Sequence, residues 1–243
     1  MRPGAVLSCH AALLACCLGA WQASAANLQI SPVMINFRAD QNAAGITLQN
    51  QAEAPVYGQV RVFLWEQQGG EDVLTPTREL LASPPIVQIA ARSSQTIRLV
   101  RAGAPGQERE RTYRVLIDEI EGGEGGAASG VDIRLRYSVP VFVAAAGEGA
   151  AEVLRWRFFR KQDEWMLTIQ NSGQRHAQIG AMSVVNRAGQ EFSVSKGLFG
   201  YVLAGQTREW RLPLPRESAL DGALAIKVVV NGKPVSAGNA GVE

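Results

Sequence analysis

The stretch Val131-Asp-Ile-Arg-Leu-Arg-Tyr-Ser-Val-Pro-Val-Phe-Val143 decides the fold class of this chain. From Ile133 to Val139, apolar residues alternate with arginines and a serine, so the apolar side chains share one face of a strand and the cations the other. The preceding segment, residues 122–130, contains five glycines in nine residues. Because glycine costs much entropy to order, we expect the strand to begin exposed and weakly paired.

The rest of the chain repeats this kind of pattern, and no long helical period occurs. Short apolar or alternating runs are separated by turn residues such as Gln68-Gly-Gly70 and Ser83-Pro-Pro85. These runs predict an all-β chain. The strands predicted before residue 144 are Leu28 to Phe37, Gly45 to Asn50, Val56 to Trp65, Gln95 to Arg101, Tyr113 to Ile120 and Val131 to Val143.

A second set of strands follows a stretch of small residues at 144–151, which is typical of an interdomain linker. They are predicted at Val153 to Arg160, Trp165 to Asn171, Ala177 to Asn186, Gln190 to Ser195, Arg208 to Leu214 and Leu224 to Val230, and Asn231-Gly232 predicts a hairpin turn into Pro234 to Ser236. About seven short strands in each half indicate two immunoglobulin-like β-sandwiches, at residues 26–145 and 146–243.

Residues 1–25 have the features of a signal peptide. Arg2 precedes a short apolar core, and Ala23-Ser-Ala25 matches the small-residue pattern of a cleavage site. All three cysteines lie in this segment, so an exported mature chain contains no disulfide. In an alternative interpretation, Leu13-Leu-Ala-Cys16 is a lipoprotein processing site. No later segment has the roughly 18 continuous apolar residues of a membrane span, so we expect no membrane insertion.

Composition favours a binding protein over an enzyme. Removal of Arg2 lowers the formal charge from +2 to +1, so no overall field attracts nucleic acid. The mature chain has one histidine, His176, in a turn-like sequence where we expect a surface loop. No Cys/His metal cluster, catalytic triad or phosphate-binding glycine motif can be built from these residues. We therefore expect no catalytic residue, no metal and no cofactor.

The chain resembles the periplasmic chaperones of chaperone–usher pilus assembly over nearly its whole mature length. No single motif is diagnostic, but their order and spacing together are specific. The motifs are Ile30-Ser-Pro-Val33, Leu48-Gln-Asn50, Gln59-Val-Arg-Val-Phe-Leu-Trp65, Ser83-Pro-Pro85, Ile97-Arg-Leu-Val-Arg101, Tyr113-Arg-Val-Leu-Ile-Asp-Glu-Ile120, Leu135-Arg-Tyr-Ser-Val-Pro-Val-Phe142, Leu167-Thr-Ile-Gln-Asn-Ser-Gly173 and Gly200-Tyr-Val-Leu-Ala-Gly-Gln-Thr-Arg-Glu-Trp210. The ending Arg136-Tyr-Ser-Val-Pro-Val-Phe142 resembles the archaic, non-classical branch.

This resemblance implies two sandwiches joined at an angle with a cleft between them, in a periplasmic protein. It also implies donor-strand complementation, in which the chaperone binds an unfinished pilin subunit through its own strand and delivers it to an outer-membrane usher. Val131, Ile133 and Leu135 are the donor residues that we predict. The alternative is that this apolar face belongs to the chain's own core, which we expect for Tyr137 and Val139.

In the resembled family, two basic residues in the cleft bind the C-terminal carboxylate of the subunit. The equivalent positions here are Arg136 and Arg114, with Arg134 as a substitute for Arg136. Better-studied members place one cation on the first strand, where this chain has Met34-Ile-Asn36 and no cation. Alternatively, these arginines are solvated charges that discourage self-association. Glu119 is predicted to pair with an arginine across the cleft, or else to be an exposed carboxylate.

The alternative function, of a different class, is that of an exported two-domain adhesin or structural surface subunit. Trp156, Trp165, Tyr201 and Trp210 could line a carbohydrate site, but packing in the core and between the domains is the favoured role. The sequence leaves open whether the free protein covers its donor strand by forming an oligomer.

Overall fold

The structure is a computed structural model that describes residues 28–102, 107–120, 134–147, 151–216, 218, 220 and 224–242. Every regular element within these ranges is a β-strand, which confirms the all-β prediction. No helix that could span a membrane is found among these residues. The strands are β1 (Leu28–Ser31), β2 (Ile35–Phe37), β3 (Ala43–Asn50), β4 (Val56–Gln68), β5 (Glu71–Pro76), β6 (Leu80–Ser83), β7 (Ile86–Ile89), β8 (Ser94–Arg101), β9 (Arg111–Ile120), β10 (Arg136–Val143), β11 (Leu154–Lys161), β12 (Glu164–Asn171), β13 (Ala177–Val185), β14 (Glu191–Ser195), β15 (Gly200–Val202), β16 (Thr207–Arg211), β17 (Leu224–Val230) and β18 (Lys233–Val242).

The first ten strands form two sheets that enclose one core. A four-stranded sheet has the order β1-β3-β8-β6, and a six-stranded sheet has the order β2-β10-β9-β4-β5, with β7 also paired to β4. Alternate residues of both sheets point inward, as their period of two requires. The fully buried ones include Ile46, Leu48, Ile97, Leu99, Val115, Ile117 and Val141.

The predicted strand from Leu28 to Phe37 is two strands. β1 pairs antiparallel with β3, whereas β2 pairs parallel with β10 in the other sheet. Pro32 lies between them, and a proline has no N–H with which to continue a ladder. The chain therefore crosses from one sheet to the other at this position, and β2 covers only the last three residues of β10, Val141–Val143.

The strands from β11 onward form a single eight-stranded sheet with a second core. β18 pairs antiparallel with β17 and parallel with β11, so it connects the two halves of that sheet. The halves face each other across buried residues that include Phe158, Leu167, Ile169, Ile179, Val184 and Ile226. The predicted turn between β17 and β18 is confirmed, because Asn231 and Gly232 have φ values of 48° and 77°.

Four short strands were not predicted: β5, β6, β7 and β15. β5 is mostly exposed and polar, and β6 and β7 flank the prolines that were interpreted only as a separator. Within the described ranges, no ladder joins the strands before residue 144 to those after 153; a single bridge pairs Gly70 with Arg208. The exact domain boundary at residues 145 and 146 stays a prediction.

Candidate functional site

Strand β10 has an unpaired edge over its first half. On one side it pairs with β9 along its whole length, from Arg136 opposite Asp118 to Val143 opposite Arg111. On the other side it pairs with β2 only at Val141–Val143. Residues 136–140 therefore present free backbone groups along one edge, among the described residues, and such an edge is a template for another strand.

The two faces of β10 have different surroundings. Val139 is buried in the core of the first sandwich, and Tyr137 packs against that core while its hydroxyl donates to the carbonyl of Leu28 at 2.7 Å. The predicted core role of this part of the strand is confirmed. Arg136, Ser138 and Pro140 alternate with these residues, so they lie on the opposite face, beside Asp118 and Arg114 of β9.

The predicted donor residues are described only in part. Val131 and Ile133, with the glycine-rich loop before them, lie outside the described residues. Leu135 is half-buried, and its carbonyl accepts a hydrogen bond from the backbone N–H of Glu119 at 3.1 Å. Its parity places it on the same face as Tyr137. Leu135, the described member of the predicted donor set, is thus on the face of β10 that packs in the core.

Glu119 contacts its own sandwich. Its Oε2 accepts from the backbone N–H of Leu135 at 3.4 Å, and its Oε1 is buried without a hydrogen-bond partner among the described residues. The salt bridges between described residues do not include Glu119. The ion pair that we predicted across the cleft is therefore not found in the described part of the chain, and other residues make the contacts that cross it.

Arg136 lies at the exposed start of β10. Its side chain is 63% exposed, and it donates to Asp118, which also accepts from Arg61 at 2.7 Å. Burial raises the pKa of Asp118, but hydrogen bonds from Arg136 and Arg61 outweigh that effect and hold this pKa below its ordinary value. Arg134, two residues earlier, is also exposed. The predicted anchor Arg136 is accessible but already has a carboxylate partner.

Arg114 is a half-buried cation against aromatic rings. Its guanidinium carbon lies 3.7 Å above the ring of Trp65 and 5.5 Å from the centre of the Tyr201 ring. No carboxylate of the described residues forms a salt bridge with it. Burial lowers the pKa of Arg114, since removal from water disfavours the charged form. A desolvated guanidinium of this kind is suited to binding an anionic group.

The two predicted anchors share a face but do not converge. Arg136 lies opposite Asp118 and Pro140 lies opposite Arg114, so the arginines are separated by four positions of β9, or roughly 14 Å. Arg136 turns toward Asp118, and Arg114 turns toward Trp65. Arg114 is the one that lines the space between the sandwiches.

This space, which we call the cleft, has a volume of about 560 Å³. Its charged lining residues are Arg114 and Asp72 of the first sandwich and Arg208 of the second. The remaining walls are largely apolar. They include Val33, Met34 and Pro140 on one side and Leu198, Phe199, Tyr201 and Trp210 on the other.

Arg208 closes one end of the cleft with ion pairs between the sandwiches. It donates to the carbonyl of Gly70 and to Glu71 Oε2 at 2.7 Å, and Asp72 lies 3.6 Å away. The backbone N–H of Glu209 also donates to the carbonyl of Gly70 at 3.0 Å. The hairpin turn between β4 and β5 is therefore held against β16. The sequence did not single out Arg208 as a contact residue.

Beside this turn, Gln67 connects the sandwiches through buried hydrogen bonds. Its Nε2 donates to the carbonyl of Tyr201 at 2.8 Å, and its Oε1 accepts from the N–H of Leu203 at 3.0 Å. An apolar cluster of Trp65, Phe142, Tyr201 and Leu203 packs around it. Both ends of the Gln67 amide are paired, and the surrounding rings shield these hydrogen bonds from water, so the contact requires one geometry.

His176 is buried between the sandwiches, and our prediction of a surface loop was wrong. Its ring stacks on Phe142 with centroids 3.5 Å apart. Its Nδ1 lies 2.7 Å from Glu110 Oε2, and its backbone N–H donates to the same oxygen at 2.7 Å. Its side chain is 5% exposed and that of Glu110 is 7% exposed. The local sequence of His176 is polar and turn-like, so it gives no sign of this contact.

We call the buried contact of Trp65, Gln67, Glu110, Phe142, His176 and Tyr201 the seam. The predicted packing role of the aromatic residues is confirmed for Tyr201, which lies in the seam, and for Trp165, which lies in the second core. No group of three or more His, Cys, Asp or Glu side chains that could hold a metal ion occurs in the described part of the chain. The site is therefore a cleft with apolar walls, an unpaired strand edge and a cation, Arg114, that forms no salt bridge with a described carboxylate.

The first sandwich matches a known protein family. Residues 27–147 match the family described as "Pili and flagellar-assembly chaperone, PapD N-terminal domain". No curated protein sequence matches the chain.

Solved structures of chaperones share the fold over most of the chain. The first is from the CsuC–CsuE chaperone–tip adhesion subunit pre-assembly complex of the archaic chaperone–usher Csu pili of Acinetobacter baumannii, with 26% identity, a TM-score of 0.69 and coverage of 88% of this chain and 98% of that one. The SafB chaperone of Salmonella enterica, solved with the SafA pilin, has 16% identity, a TM-score of 0.59 and coverage of 88% and 94%.

The CupB2 chaperone of Pseudomonas aeruginosa has 16% identity, a TM-score of 0.56 and coverage of 87% and 99%. These two more distant likenesses support the fold alone, whereas the similarity to the Csu chaperone agrees with the archaic-branch resemblance. The two-sandwich architecture, the cleft and the family match lead to one conclusion: this chain belongs to the family of pili and flagellar-assembly chaperones.

Proposed function

We propose that this chaperone acts in the periplasm, where it binds pilus subunits by donor-strand complementation and delivers them to an outer-membrane usher. The observation that carries this proposal is the unpaired edge of β10 at residues 136–140, directly beside the cleft that contains Arg114. The Csu relative, which was solved with a tip adhesion subunit, supports a pilus subunit as the partner. The signal-peptide pattern of residues 1–25 supports export.

The donor strand supplies the larger part of the affinity. A pilin that lacks its last strand exposes an apolar groove between two unpaired edges. Leu135 and the predicted donors Val131 and Ile133 would enter that groove, while backbone groups of the strand form the ladder. Each fully buried aliphatic side chain is worth roughly 1.5 to 3 kcal/mol, before the costs of association.

The cation in the cleft sets the register. A strand that slips by two residues keeps its apolar pattern, so affinity alone does not fix the alignment. Arg114 presents a planar guanidinium in a partly desolvated position, which fits the C-terminal carboxylate of the subunit. Arg136, with Arg134 as its substitute, would contact the chain that approaches along β10. We rank Arg114 first because Arg136 already donates to Asp118.

Co-expression with a candidate pilin subunit tests the proposal. We expect a soluble complex of one chaperone and one subunit, measured by size exclusion with light scattering. Arg114→Ala should lower recovery of the complex by about tenfold or more, because a charge-assisted hydrogen bond is worth about 1.5 to 3 kcal/mol. Arg136→Ala should lower it less, and Arg98→Ala, on the exposed face of the other sheet, is the matched control.

Undiminished recovery of the subunit by folded Arg114→Ala would exclude this residue as the anchor. A wild-type protein that polymerises, or that ignores every pilin, would instead favour an adhesin or structural subunit. Residual folding of each variant is checked by its unfolding midpoint, so that loss of capture can be separated from loss of fold.

A further inference from the structure

The cleft contains more than a site for a charge, because apolar side chains from both sandwiches face it. Val33 is 74% exposed and Leu198 is 59% exposed, and both line the cleft. Phe199 and Trp210 form the adjoining wall, with ring centroids 5.1 Å apart. Apolar side chains exposed on two facing walls leave surface that a ligand can cover.

We infer that the cleft selects a peptide C-terminus whose last side chain is bulky and apolar, with the free carboxylate at Arg114 and that side chain between Val33, Leu198 and Phe199. This inference rests on the proposed function and adds a specificity to it. It concerns the chemistry of the terminal residue of the subunit, whereas the donor strand concerns the apolar groove of the subunit.

The C-terminal residue of a peptide can contact Arg114 and the apolar walls of the cleft at the same time. The α-carboxylate and the last side chain leave the same Cα, so a ligand held by its carboxylate must place that side chain a few ångströms from the guanidinium. At Arg114 the neighbouring surface is aromatic and aliphatic on both walls. A glycine or a charged residue at the end would leave this surface uncovered or would be desolvated without compensation.

The polar lining and the size of the cleft agree with a short peptide end. Ser138 and Gln178 also line the cleft and can bond to backbone groups. Arg208, the other cation that lines the cleft, is already paired with Glu71 and Asp72. Arg114 is therefore the arginine that is available to the carboxylate of the peptide. The volume of about 560 Å³ lies within the range of about 300 to 1,000 Å³ typical of small-ligand pockets, which is enough for about two or three residues.

The test uses the full mature chain and synthetic peptides of one sequence that differ only in their last residue. Four probes are titrated by calorimetry: a peptide ending in phenylalanine with a free carboxylate, its C-terminal amide, and free acids ending in glycine and aspartate. We expect the phenylalanine acid to bind about tenfold or more tightly than the glycine or aspartate acid, since burial of one large apolar side chain supports at least that ratio. The amide should lose about tenfold or more.

Substitutions in the cleft test which residues cause the preference for a terminal phenylalanine. Leu198→Ser and Val33→Ser should reduce the preference for phenylalanine over glycine to about threefold or less, while binding of the glycine acid is kept. Leu81→Ser, which changes an exposed leucine on β6 outside the cleft, should keep the full preference. Arg114→Gln should abolish the difference between acid and amide.

Equal binding of the phenylalanine, glycine and aspartate acids would overturn the inference, and so would a preference that survives both Leu198→Ser and Val33→Ser. Absence of any peptide binding in a protein that still captures a pilin would overturn it as well. In each of these cases pilin capture, measured separately, continues to support the proposed function. Failure to capture any pilin would reject that function independently.

Discussion

Two arginines line the same cleft, and their surroundings differ. Arg208 donates to Glu71 and Gly70 of the facing sandwich, so its charge and its hydrogen bonds are used in holding the domains. Arg114 lies over the rings of Trp65 and Tyr201 and has no salt bridge with a described carboxylate. The seam and its neighbour Arg208 thus fix the arrangement of the sandwiches, whereas Arg114 and the apolar walls are left available for a ligand. The two tasks belong to different residues, so mutation should separate them.

The largest effect is expected at Glu110, on the seam. Glu110→Ala removes the acceptor of both the ring Nδ1 and the backbone N–H of His176, and both side chains of this pair are more than nine-tenths buried. We expect a loss of about 3 kcal/mol in the free energy of unfolding, measured in urea. The matched control is Glu108→Ala, at an exposed carboxylate two residues away.

The same variant tests whether the seam orients the domains. Small-angle scattering of Glu110→Ala should show a broader distribution of domain angles, while a phenylalanine-ended peptide still binds at Arg114 in the folded fraction. If Glu110→Ala and Glu108→Ala have equal stability, the buried pair does not hold the junction.

A smaller effect is expected at Gln67. Gln67→Ala leaves the carbonyl of Tyr201 and the N–H of Leu203 without their partner, both in buried positions. We expect a loss of about 2 kcal/mol by urea unfolding, because an unsatisfied buried group costs about 1 to 3 kcal/mol. Gln68→Ala, at the exposed neighbouring position, should be close to neutral. An equal loss of unfolding free energy in the two variants would show that the hydrogen bonds of Gln67 do not stabilise the junction.

The difference between seam and cleft also explains what could be predicted from sequence. The strand pattern of β10 follows from a local period of two, and the sequence therefore located its core half correctly. Arg114 was found because it lies within a motif shared with the resembled family. The pair of His176 and Glu110 joins residues 66 positions apart, on two domains, and has no local pattern. Their polarity favoured exposure, but the His176 ring stacks on Phe142 and both side chains of the pair are buried.

The anchor pair was predicted from the resemblance to the family, and this prediction has a similar limit. The ladder of β9 and β10 places Arg114 and Arg136 on one face. Their separation along that face depends on the register between the strands, and the sequence does not specify it. Glu119 shows the same limit, since its contact with the backbone of Leu135 depends on where β10 begins.

A still smaller effect is expected at Arg208. Its ion pair with Glu71 has an exposed partner, so solvent and salt screen it. Arg208→Ala should cost about 1 kcal/mol or less in urea unfolding, and a double-mutant cycle with Glu71→Ala should give a coupling that falls as salt is added. Binding of the phenylalanine-ended peptide should change by less than about threefold, in contrast to Arg114→Gln. A loss of binding as large as that of Arg114→Gln would show that the two arginines act together.

The smallest effect concerns the protonation of Asp118. Its pKa depends on Arg136, so it can show whether Arg136 or Arg114 contacts a bound subunit. Hydrogen bonds from Arg136 and Arg61 lower the pKa of Asp118 against the opposing effect of burial. A carboxyl whose pKa is lower in the folded state stabilises the fold above its unfolded pKa, and this contribution is lost as the pH falls through the folded value. Arg136→Ala should therefore raise the pKa of Asp118, measured by NMR titration, and reduce the loss of stability in acid.

The pKa of Asp118 should be compared between the free chaperone and its complex with a subunit. If Arg136 leaves Asp118 to contact the bound chain, the pKa of Asp118 in the complex should rise as it does in Arg136→Ala. If the pKa stays low in the complex, Arg136 keeps its carboxylate partner. Arg114 is then the cation that we expect to receive the subunit's C-terminus, because it is the arginine in the cleft that forms no salt bridge with a described carboxylate.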